Sequence, residues 1–397
     1  MKQIEIKHSE IFEEFKDGRT VCPKCSSEYI IKKGYYLSEK YLHKMQRLKC
    51  LDCGNVFHGI PKIMEIEEDF KYKSKDEYPT QQWDKYTEGQ LNERRLLPDV
   101  LDELFQNIQL KYDETKKGRN FSNIKDIVYC LILKTYTKLS SRRLNSDLES
   151  IQKEGYIEKV PNFTTLMKYL NKEELTYLLD ALVTMSSKPI PNIVDVAIDS
   201  SGFSTSQFAR WFDFKYDKDK TIRTWVKAHI VCDTQTNIIT SVTVTPANFA
   251  DSPQLKPLLE KNPHKVKEVS ADRAYSSRNN LEIITNMGAV PYIPFKSNVT
   301  GLHSKVHIWK KSYRYFKEHP QDFFEHYHKR SNVETCFHMI KQKFGKDLAT
   351  KSFESQKNEI LLKVLCHNIC CLIQEYYLMN IESYYSTEVQ KIPILVK

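Results

Sequence analysis

The sequence predicts an α/β protein, with a mixed β-sheet flanked by helices in its C-terminal half, preceded by a small cysteine-rich ribbon and a helical region. Three observations lead to this prediction. The C-terminal half alternates strand-like and helix-like segments, the middle has apolar residues three and four positions apart, and the N-terminal part holds two Cys-x2-Cys pairs. At 397 residues the chain is longer than one core usually grows, so several domains are expected.

The two cysteine pairs define the first region, which we predict to span residues 1–60 with an N-terminal leader. Cys22 and Cys25 form one pair, Cys50 and Cys53 form the other, and 24 residues separate them. Two such pairs can complete the tetrahedral sulfur shell that suits one zinc ion. A site closed by four protein ligands is structural, so the sequence predicts a zinc ribbon with a folding role.

The next two regions differ in their apolar pattern. Residues 61–98 carry alternating charge with little periodicity, which predicts a linker with at most one short helix. Residues 99–188 show helical spacing, and Asn162 or Thr164 is placed to cap one of the helices. A small helical bundle is expected there.

The region 189–378 is predicted to contain the sheet. Helical segments are expected between and after the last strands, and Gly288 closes one of them. The predicted strands lie at 193–202, 224–233, 238–248, 266–275 and 289–296. The tail 379–397 is predicted to be a weakly ordered terminus.

Three carboxylates stand out in this region. Asp199 ends the first strand and Asp272 ends the fourth, and side chains at the carboxyl ends of strands converge on one crevice. Glu334 lies in a predicted helix that begins at Tyr327. Such an oxygen-rich pocket suits magnesium or manganese, and two ions roughly 3.5 to 4 Å apart can support phosphoryl transfer.

The helix around Glu334 carries a polar stripe, and a separate apolar stripe, expected to face the sheet, consists of Val333, Phe337, Ile340 and Phe344. Tyr327, Glu334 and Lys341 are seven residues apart, which places them nearly in line, and Arg330 lies one turn before Glu334. These neighbours could hold phosphates beside a metal-binding carboxylate. The alternative is an exposed amphipathic helix with a simple Arg330–Glu334 ion pair.

Basic residues cluster in two places in a chain of net charge +9. The stretch between Cys25 and Cys50 contains six basic and two acidic residues. The stretch from Lys296 to Lys351 contains twelve basic and five acidic residues. Nucleic acid is a common partner of such stretches, while a solvated lysine-rich face is the alternative. Through its charge the ribbon becomes a candidate for binding DNA. The helical region 99–188 is a second candidate, through a helix-turn-helix contact, with simple packing of its helices as the alternative.

A resemblance joins these features. The motif Y-x2-R-x3-E-x6-K resembles the signature around the catalytic glutamate of DDE transposases of prokaryotic insertion sequences. The segments "VDVAIDSSGF" and "SADRAYSS" are also similar to that family, over roughly residues 190–375. The resemblance implies an RNase H-like catalytic domain with magnesium or manganese ligands at Asp199, Asp272 and Glu334, and with DNA contacts at Tyr327, Arg330 and Lys341.

The same resemblance implies a function. The enzyme would bind the terminal inverted repeats of its element, cut with water, and join the freed 3′-hydroxyl to target DNA, acting as a dimer on paired ends. Two alternatives stay open: a domesticated zinc-ribbon protein that binds DNA without cutting, and an RNase H-like nuclease that cuts without joining. Asp272 and Glu334 are 334 − 272 = 62 residues apart, which leaves little room for the β-rich insertion that some relatives carry there. Whether cleavage passes through a DNA hairpin intermediate is therefore left open.

Location and two neighbours of the site complete the expectations. The sequence has no run of the roughly 20 apolar residues that a membrane span needs, so a cytoplasmic protein, associated with the nucleoid when on DNA, is expected. His229 is expected to be a satisfied strand histidine, and Asp251, just before Ser252-Pro253, to cap a helix.

Overall fold

The computed structural model describes residues 15–16, 19–20, 22, 24–25, 27, 29–37, 44–59, 82–112, 123–205, 225–296, 299, 306–379 and 392–396. The chain divides into two compact units, residues 1–79 with 301–311 and residues 80–300 with 312–397. None of the helices in the described ranges combines the length and the apolar character that crossing a membrane requires.

The first unit is a small β-structure. A short antiparallel pair precedes a three-stranded antiparallel sheet in the order β3-β4-β5. The strands are β1 (Phe15–Lys16), β2 (Arg19–Thr20), β3 (Ile30–Leu37), β4 (Lys44–Cys50) and β5 (Val56–Gly59). The leader before residue 15 lies outside the described residues.

The second unit begins with helices and one strand. They are α1 (Trp83–Gln106), β6 (Ile108–Tyr112), α2 (Ile124–Thr137), α3 (Asn145–Lys153), α4 (Phe163–Tyr169) and α5 (Glu173–Ser187). Asn162 caps α4 as predicted, because its Oδ1 accepts a hydrogen bond from the Thr164 N–H at 2.9 Å.

A five-stranded mixed sheet follows, in the order β11-β10-β7-β8-β9. Strands β7, β8 and β9 form antiparallel neighbours, while β10 runs parallel to both β7 and β11. The strands are β7 (Asp195–Ser204), β8 (Trp225–Asp233), β9 (Ile239–Pro246), β10 (Glu268–Ala271) and β11 (Val290–Tyr292). All five predicted strands of the α/β domain are therefore confirmed.

The remaining helices connect and cover this sheet. They are α6 (Leu255–Lys261), α7 (Arg278–Asn286), α8 (His307–Glu318), α9 (Pro320–Tyr327), α10 (Ser331–Phe344) and α11 (Phe353–Met379). The last described strand, β12 (Ile392–Val396), belongs to a separate two-stranded sheet with β6. The 27-residue helix α11 contacts α1, α2, α5 and β9, and its middle turns are buried on all sides. Both the helical region and the sheet therefore pack against α11.

Helix α1 replaces the C-terminal part of the predicted linker, since residues 83–98 are helical, while residues 61–81 lie outside the described residues. Its buried stripe begins with Gly89 and Glu93 and continues with leucines such as Leu97. A Cβ on Gly89 would lie 3.4 Å from Tyr377 of α11, so the glycine permits close helix packing. The stripe escaped the sequence analysis because its first members are not apolar.

The tail also differs from the prediction. Residues 392–396, "IPILV", form β12, which pairs in parallel with β6 from Ile392–Ile108 to Val396–Tyr112. The apolar, β-branched run suits a strand, but its partner lies 284 positions earlier in the chain, so local pattern alone could not reveal the pairing. Residues 380–391 lie outside the described part of the tail.

Candidate active site

The register of two parallel strands brings Asp199 and Asp272 together. The last paired residues of β7 and β10 are Ile198 and Ala271, and each aspartate is the next residue on its strand or just beyond it. Because neighbouring strands lie about 4.8 Å apart, the two aspartates sit side by side at the carboxyl end of β10. This is the convergence that the sequence predicted.

Electrostatic coupling links Asp199 to both other carboxylates. Burial raises the pKa of Asp199, and the charges of Asp272 and Glu334 raise it further. The Ser200 N–H, which donates to Asp199 Oδ1 at 2.8 Å, and the Arg330 guanidinium act in the opposite direction. The three carboxylates thus share one electrostatic environment.

Arg330 joins two of these carboxylates directly. Its Nη1 donates to Asp199 Oδ2 at 2.6 Å, and its Nη2 donates to Glu334 Oε1. Arg330 and Asp199 are mostly shielded from solvent, with side-chain exposures of 18% and 21%, whereas Glu334 is 60% exposed. The predicted Arg330–Glu334 pair is present, and it extends across to the sheet.

Helix α10 places Glu334 over the sheet. Its buried face consists of Val333, Cys336, Phe337, Ile340 and Phe344, which includes the four apolar residues of the predicted stripe. The helix contacts β7 and β8, and Gly345, at φ 88°, ends it. The burial of this stripe fixes the rotation of α10 and so the direction of its polar residues.

The helix does not begin at Tyr327 as predicted. Tyr327 ends α9, and a 3₁₀ turn, His328–Arg330, separates it from α10. The Tyr327 ring lies 6.0 Å from the Arg330 guanidinium carbon. The seven-residue stripe is therefore divided between two helical segments, although Tyr327 remains beside Arg330.

Lys341, on helix α10, contacts β7 at a point beyond Asp199. Its Nζ donates to Ser201 Oγ at 2.6 Å and lies 5.2 Å from the centre of the Phe203 ring. Burial lowers the pKa of Lys341. The ammonium group is therefore held two residues beyond Asp199 on the same strand, in line with the carboxylates.

The ligand atoms of the three carboxylates do not all lie within 4.8 Å of one another; over the described residues only the four ribbon cysteines meet that condition. The guanidinium of Arg330 bridges Asp199 and Glu334 instead. The donor set nevertheless fits a hard divalent cation, because it consists of carboxylate oxygens, and the charges of Asp272 and Glu334 raise the pKa of Asp199.

Sequence reasoning missed a second set of charges below this site. Asp195 precedes Asp199 by four residues, Glu268 precedes Asp272 by four, and Lys329 contacts both of the earlier carboxylates. The signal was present as polar residues inside the otherwise apolar strands "IVDVAID" and "VKEVSAD". Their joint partner lies more than 60 residues away and could not be identified from the strands alone.

Asp251 does not cap a helix, so that prediction was wrong. It makes no side-chain capping bond to the turn Ser252–Gln254. Its Oδ1 instead accepts hydrogen bonds from Ser200 Oγ at 2.9 Å and from Lys227 Nζ at 3.0 Å. A tertiary network beside Asp199 therefore replaces the local cap.

His229 belongs to the same network. Its Nε2 lies 2.8 Å from Thr245 Oγ1, but its buried Nδ1 makes no hydrogen bond and lies 3.7 Å from Asp251 Oδ1. The expectation of a satisfied strand histidine therefore holds for only one of the two ring nitrogens. Burial lowers the pKa of His229 to about 4, so the ring is neutral at pH 7. The network is thus a neutral imidazole beside one lysine–aspartate pair.

The ribbon cysteines form a separate candidate metal centre. The Sγ atoms of Cys22 and Cys53 are 3.5 Å apart, those of Cys25 and Cys50 are 3.6 Å apart, and all four lie within 4.8 Å of one another. Four thiolates bound to zinc at about 2.3 Å would lie about 3.8 Å apart. The spacing therefore fits a tetrahedral ion.

Backbone donors surround these thiols. Burial acts to raise the pKa of Cys22, but N–H groups of Lys24 and Cys25 outweigh it and lower the pKa to about 6. A lowered pKa favours the thiolate, the form that binds metal.

Comparisons with known proteins agree with this geometry. Residues 191–369 match the family described as the transposase DDE domain. A probable transposase for insertion sequence element ISA1214 from Archaeoglobus fulgidus is 22% identical over 310 residues, which cover 77% of this chain and 92% of that protein. A piggyBac transposase solved in a synaptic complex with hairpin DNA is similar at a TM-score of 0.36 and 9% identity, over 71% of each chain, a likeness below that of a shared fold.

The matched range contains the adjacent aspartates of β7 and β10 and the glutamate of α10. The resemblance found in the motifs therefore extends over the whole mixed sheet and its covering helices. Residues 191–369 thus match the transposase DDE domain, and the chain is similar to a probable insertion sequence transposase over 77% of its length.

Proposed function

We propose that this protein is the transposase of an insertion sequence, which binds the terminal inverted repeats of its element and catalyses strand cleavage and transfer of the freed 3′-hydroxyl into target DNA. One observation carries the proposal: Asp199 and Asp272 lie side by side, and Arg330 connects Asp199 to Glu334. The insertion sequence named for the Archaeoglobus fulgidus relative supports this class of element.

The three carboxylates are the proposed catalytic residues. Asp199, Asp272 and Glu334 would hold two magnesium or manganese ions, which supply Lewis-acid stabilisation of a phosphoryl transfer when bound. The carboxylates would hold these ions at the edge of the sheet, where Asp199 lies on β7, Asp272 follows β10 and Glu334 lies on α10.

The chemistry would proceed in two steps of the same kind. In cleavage, the oxygen of water bonds to phosphorus and the bond to the 3′-oxygen breaks, leaving a 3′-hydroxyl and a 5′-phosphate. In joining, that 3′-oxygen bonds to a phosphorus of target DNA and displaces its 3′-oxygen. The proton of the attacking group passes to solvent in both steps.

Cations around the carboxylates would position the DNA. Arg330 has a planar guanidinium that suits phosphate, and Lys341 is held beside β7 at Ser201. Tyr327 lies next to Arg330 and can donate its hydroxyl to a neighbouring phosphate. These three residues are the proposed contacts to the transposon end.

The N-terminal regions would supply recognition of the ends. Cys22, Cys25, Cys50 and Cys53 would hold one structural zinc, and the basic ribbon together with the helical region 99–188 would bind the repeats. A homodimer on paired ends follows from the need to bring two ends together. The protein would work in the cytoplasm, on the nucleoid.

The test uses DNA that carries the flanks of the protein's own gene. The purified protein is incubated with this DNA with and without magnesium, and new 3′ ends are mapped, with Glu334→Gln as the control. Metal-dependent nicks at inverted-repeat borders that the variant does not make would support the proposal. Joined products with a target plasmid would separate a transposase from a nuclease that only cuts.

The opposite outcomes are equally informative. Binding without nicks, in magnesium and in manganese alike, would overturn the proposal in favour of a DNA-binding protein that does not cut. Nicks made at the wild-type rate by Glu334→Gln would show that the cleavage comes from another site or another protein.

A further inference from the structure

A second pair of carboxylates lies on the same two strands as the catalytic pair. Asp195 and Glu268 face each other across β7 and β10 as register partners, four residues before Asp199 and Asp272 respectively. Residues four apart on a strand point to the same face, so Asp195 lies below Asp199 on one side of the sheet. We call Asp195 and Glu268 the lower pair.

One lysine bridges the two carboxylates of the lower pair. Lys329 Nζ donates to Asp195 Oδ2 at 2.6 Å and to Glu268 Oε2 at 2.8 Å. The side chains of Lys329, Asp195 and Glu268 are 17%, 14% and 5% exposed. A buried charge left without its partner is strongly destabilising, so these three groups constrain one another.

The charges of the cluster agree with this geometry. Burial acts to lower the pKa of Lys329, but its hydrogen bonds with Asp195 and Glu268 outweigh burial and raise it. Burial acts to raise the pKa of Glu268, but hydrogen bonds from His326 and Lys329 lower it. The ammonium and the Glu268 carboxylate therefore stay charged at neutral pH.

Further contacts hold the chain just before the turn. His326 Nδ1 lies 2.9 Å from Glu268 Oε2, and the His326 ring stacks on Tyr292 of β11 at 4.4 Å between ring centres. Ser270 of β10 donates to the His326 carbonyl at 3.2 Å. The segment that leads into the 3₁₀ turn is thus fixed to the sheet before Lys329.

Lys329 and Arg330 are consecutive, and each binds a different tier of carboxylates. Lys329 reaches the lower pair, and Arg330 reaches Asp199 and continues to Glu334. Helix α10 begins at the next residue, Ser331. The position of Lys329 therefore sets where α10 starts relative to Asp199.

We propose that Lys329 is a positioning residue, which holds the 3₁₀ turn on the lower pair so that Arg330 and Glu334 face Asp199 and Asp272. This inference rests on the proposed function, because it assigns Lys329 a role in assembling that site. Its hydrogen bonds reach Asp195 and Glu268, which lie one tier below the proposed metal ligands Asp199 and Asp272. A displacement of about 1 Å at a catalytic group can lower a rate by about a hundredfold, so such an anchor has a measurable effect.

The experiment compares three variants in the full-length protein. Lys329→Met keeps the length of the side chain and removes its charge, and Lys329→Arg keeps the charge. The triple variant Lys329→Met, Asp195→Asn, Glu268→Gln makes the cluster neutral, which relieves the unpaired charges but still lacks the anchor. Leu258→Ala, a cavity in the buried side of α6, serves as a control matched for lost stability.

Four quantities are measured: the melting temperature, the Kd for an end DNA, the rate of single-turnover cleavage, and the Mn²⁺ concentration at half-saturation by electron paramagnetic resonance. We expect Lys329→Met to lower cleavage and weaken Mn²⁺ binding by about tenfold or more, with end binding nearly unchanged. Lys329→Arg should recover most of both. The triple variant should regain melting temperature but not cleavage or Mn²⁺ binding.

Either of two results would overturn the inference. One is a folded Lys329→Met protein with wild-type Mn²⁺ binding and cleavage. The other is full recovery of both by the neutral triple variant, which would assign the cluster to stability alone. If wild-type protein does not cut its own ends, the proposed function fails, whereas the Mn²⁺ comparison among variants still decides the role of Lys329.

Discussion

Arg330 donates to Asp199 at 2.6 Å with the same guanidinium that contacts Glu334, so a single cation bridges one carboxylate from the sheet and one from the helix. A divalent ion held by the proposed ligands would need oxygens from the same two residues. The guanidinium and the ion would therefore compete. DNA phosphate, as an alternative partner of Arg330, would shift that competition toward the metal.

This competition gives a prediction for Arg330→Gln. Without DNA, the variant should bind Mn²⁺ about tenfold more tightly than wild type, because the carboxylates lose their internal cation. Its cleavage of end DNA should fall, since a phosphate contact is lost. Titration of Mn²⁺ followed by electron paramagnetic resonance measures the first effect, and single-turnover cleavage measures the second.

Arg314→Gln is the matched control for Arg330→Gln. Arg314 forms a comparable ion pair with Glu318 one helical turn away, at 3.2 Å, but on helix α8. It should leave Mn²⁺ binding unchanged. Weaker Mn²⁺ binding in Arg330→Gln than in wild type would contradict the competition.

The two strand aspartates give a second prediction. Asp199→Asn and Asp272→Asn should each lower cleavage by about a hundredfold to a thousandfold or more, because an amide replaces a negatively charged ligand oxygen. Both proteins should fold and bind end DNA, since relieving repulsion among the carboxylates does not destabilise the sheet. Electrophoretic mobility shift and cleavage assays on the same DNA separate the two properties.

Asp233→Asn is a useful comparison for these variants. Asp233 also ends a strand of the sheet, β8, but its Oδ2 accepts hydrogen bonds from the N–H groups of Gln235 and Thr236 in a turn. The change should lower stability without a specific loss of cleavage at temperatures where the protein is folded. Equal losses of cleavage in Asp233→Asn and Asp199→Asn would argue against a special role for Asp199.

Where local pattern decided the structure, the sequence was sufficient. The apolar strands that end at Asp199 and Asp272 and the stripe of α10 were predicted because alternation and helical periodicity follow directly from burial. The Arg330–Glu334 pair was predicted because residues four apart on a helix are neighbours.

Where distant parts of the chain decided the structure, the sequence was not sufficient. Asp251 has the local surroundings of a helix cap, yet Lys227 and Ser200, on other strands, are its partners. The contacts of Lys329 could be recognised only from the register of β7 and β10, which places Asp195 beside Glu268. In both cases the partners are charged or polar groups whose pairing depends on register, which a single sequence does not encode locally.

The ribbon gives a third prediction. Freshly purified, reduced protein should contain one zinc per chain, and Cys22→Ser or Cys50→Ser should lose it, because three thiolates and a hydroxyl bind zinc far less tightly. Loss of zinc should unfold the ribbon and weaken end binding while leaving the DDE domain folded. Metal analysis, circular dichroism and an end-binding assay follow these effects.

Ser27→Ala is the control within the ribbon, since Ser27 donates a hydrogen bond to Asp52 and does not belong to the cysteine cluster. It should keep its zinc. Loss of metal during purification would first be ruled out. Protein that then still contains no zinc would contradict the predicted site.

Glu375 on α11 gives a prediction for pH. Burial, with a smaller contribution from the charge of Asp233, raises the pKa of Glu375 from 4.5 to about 7. Between these values the folded state keeps a proton that the unfolded state has released, so the free energy of unfolding falls as pH rises through this interval and levels off above it.

Glu375→Gln cannot ionise, so it should be more stable than wild type at pH 8 and equal to it near pH 4. Because the side chain retains some contact with solvent, screening reduces the gain, and we expect about 1 kcal/mol from urea unfolding. Glu260→Gln, at a glutamate that is 62% exposed on α6, should give no such difference between the two pH values. A gain for Glu375→Gln that is the same at pH 4 and pH 8 would show that packing, not ionisation, is the cause.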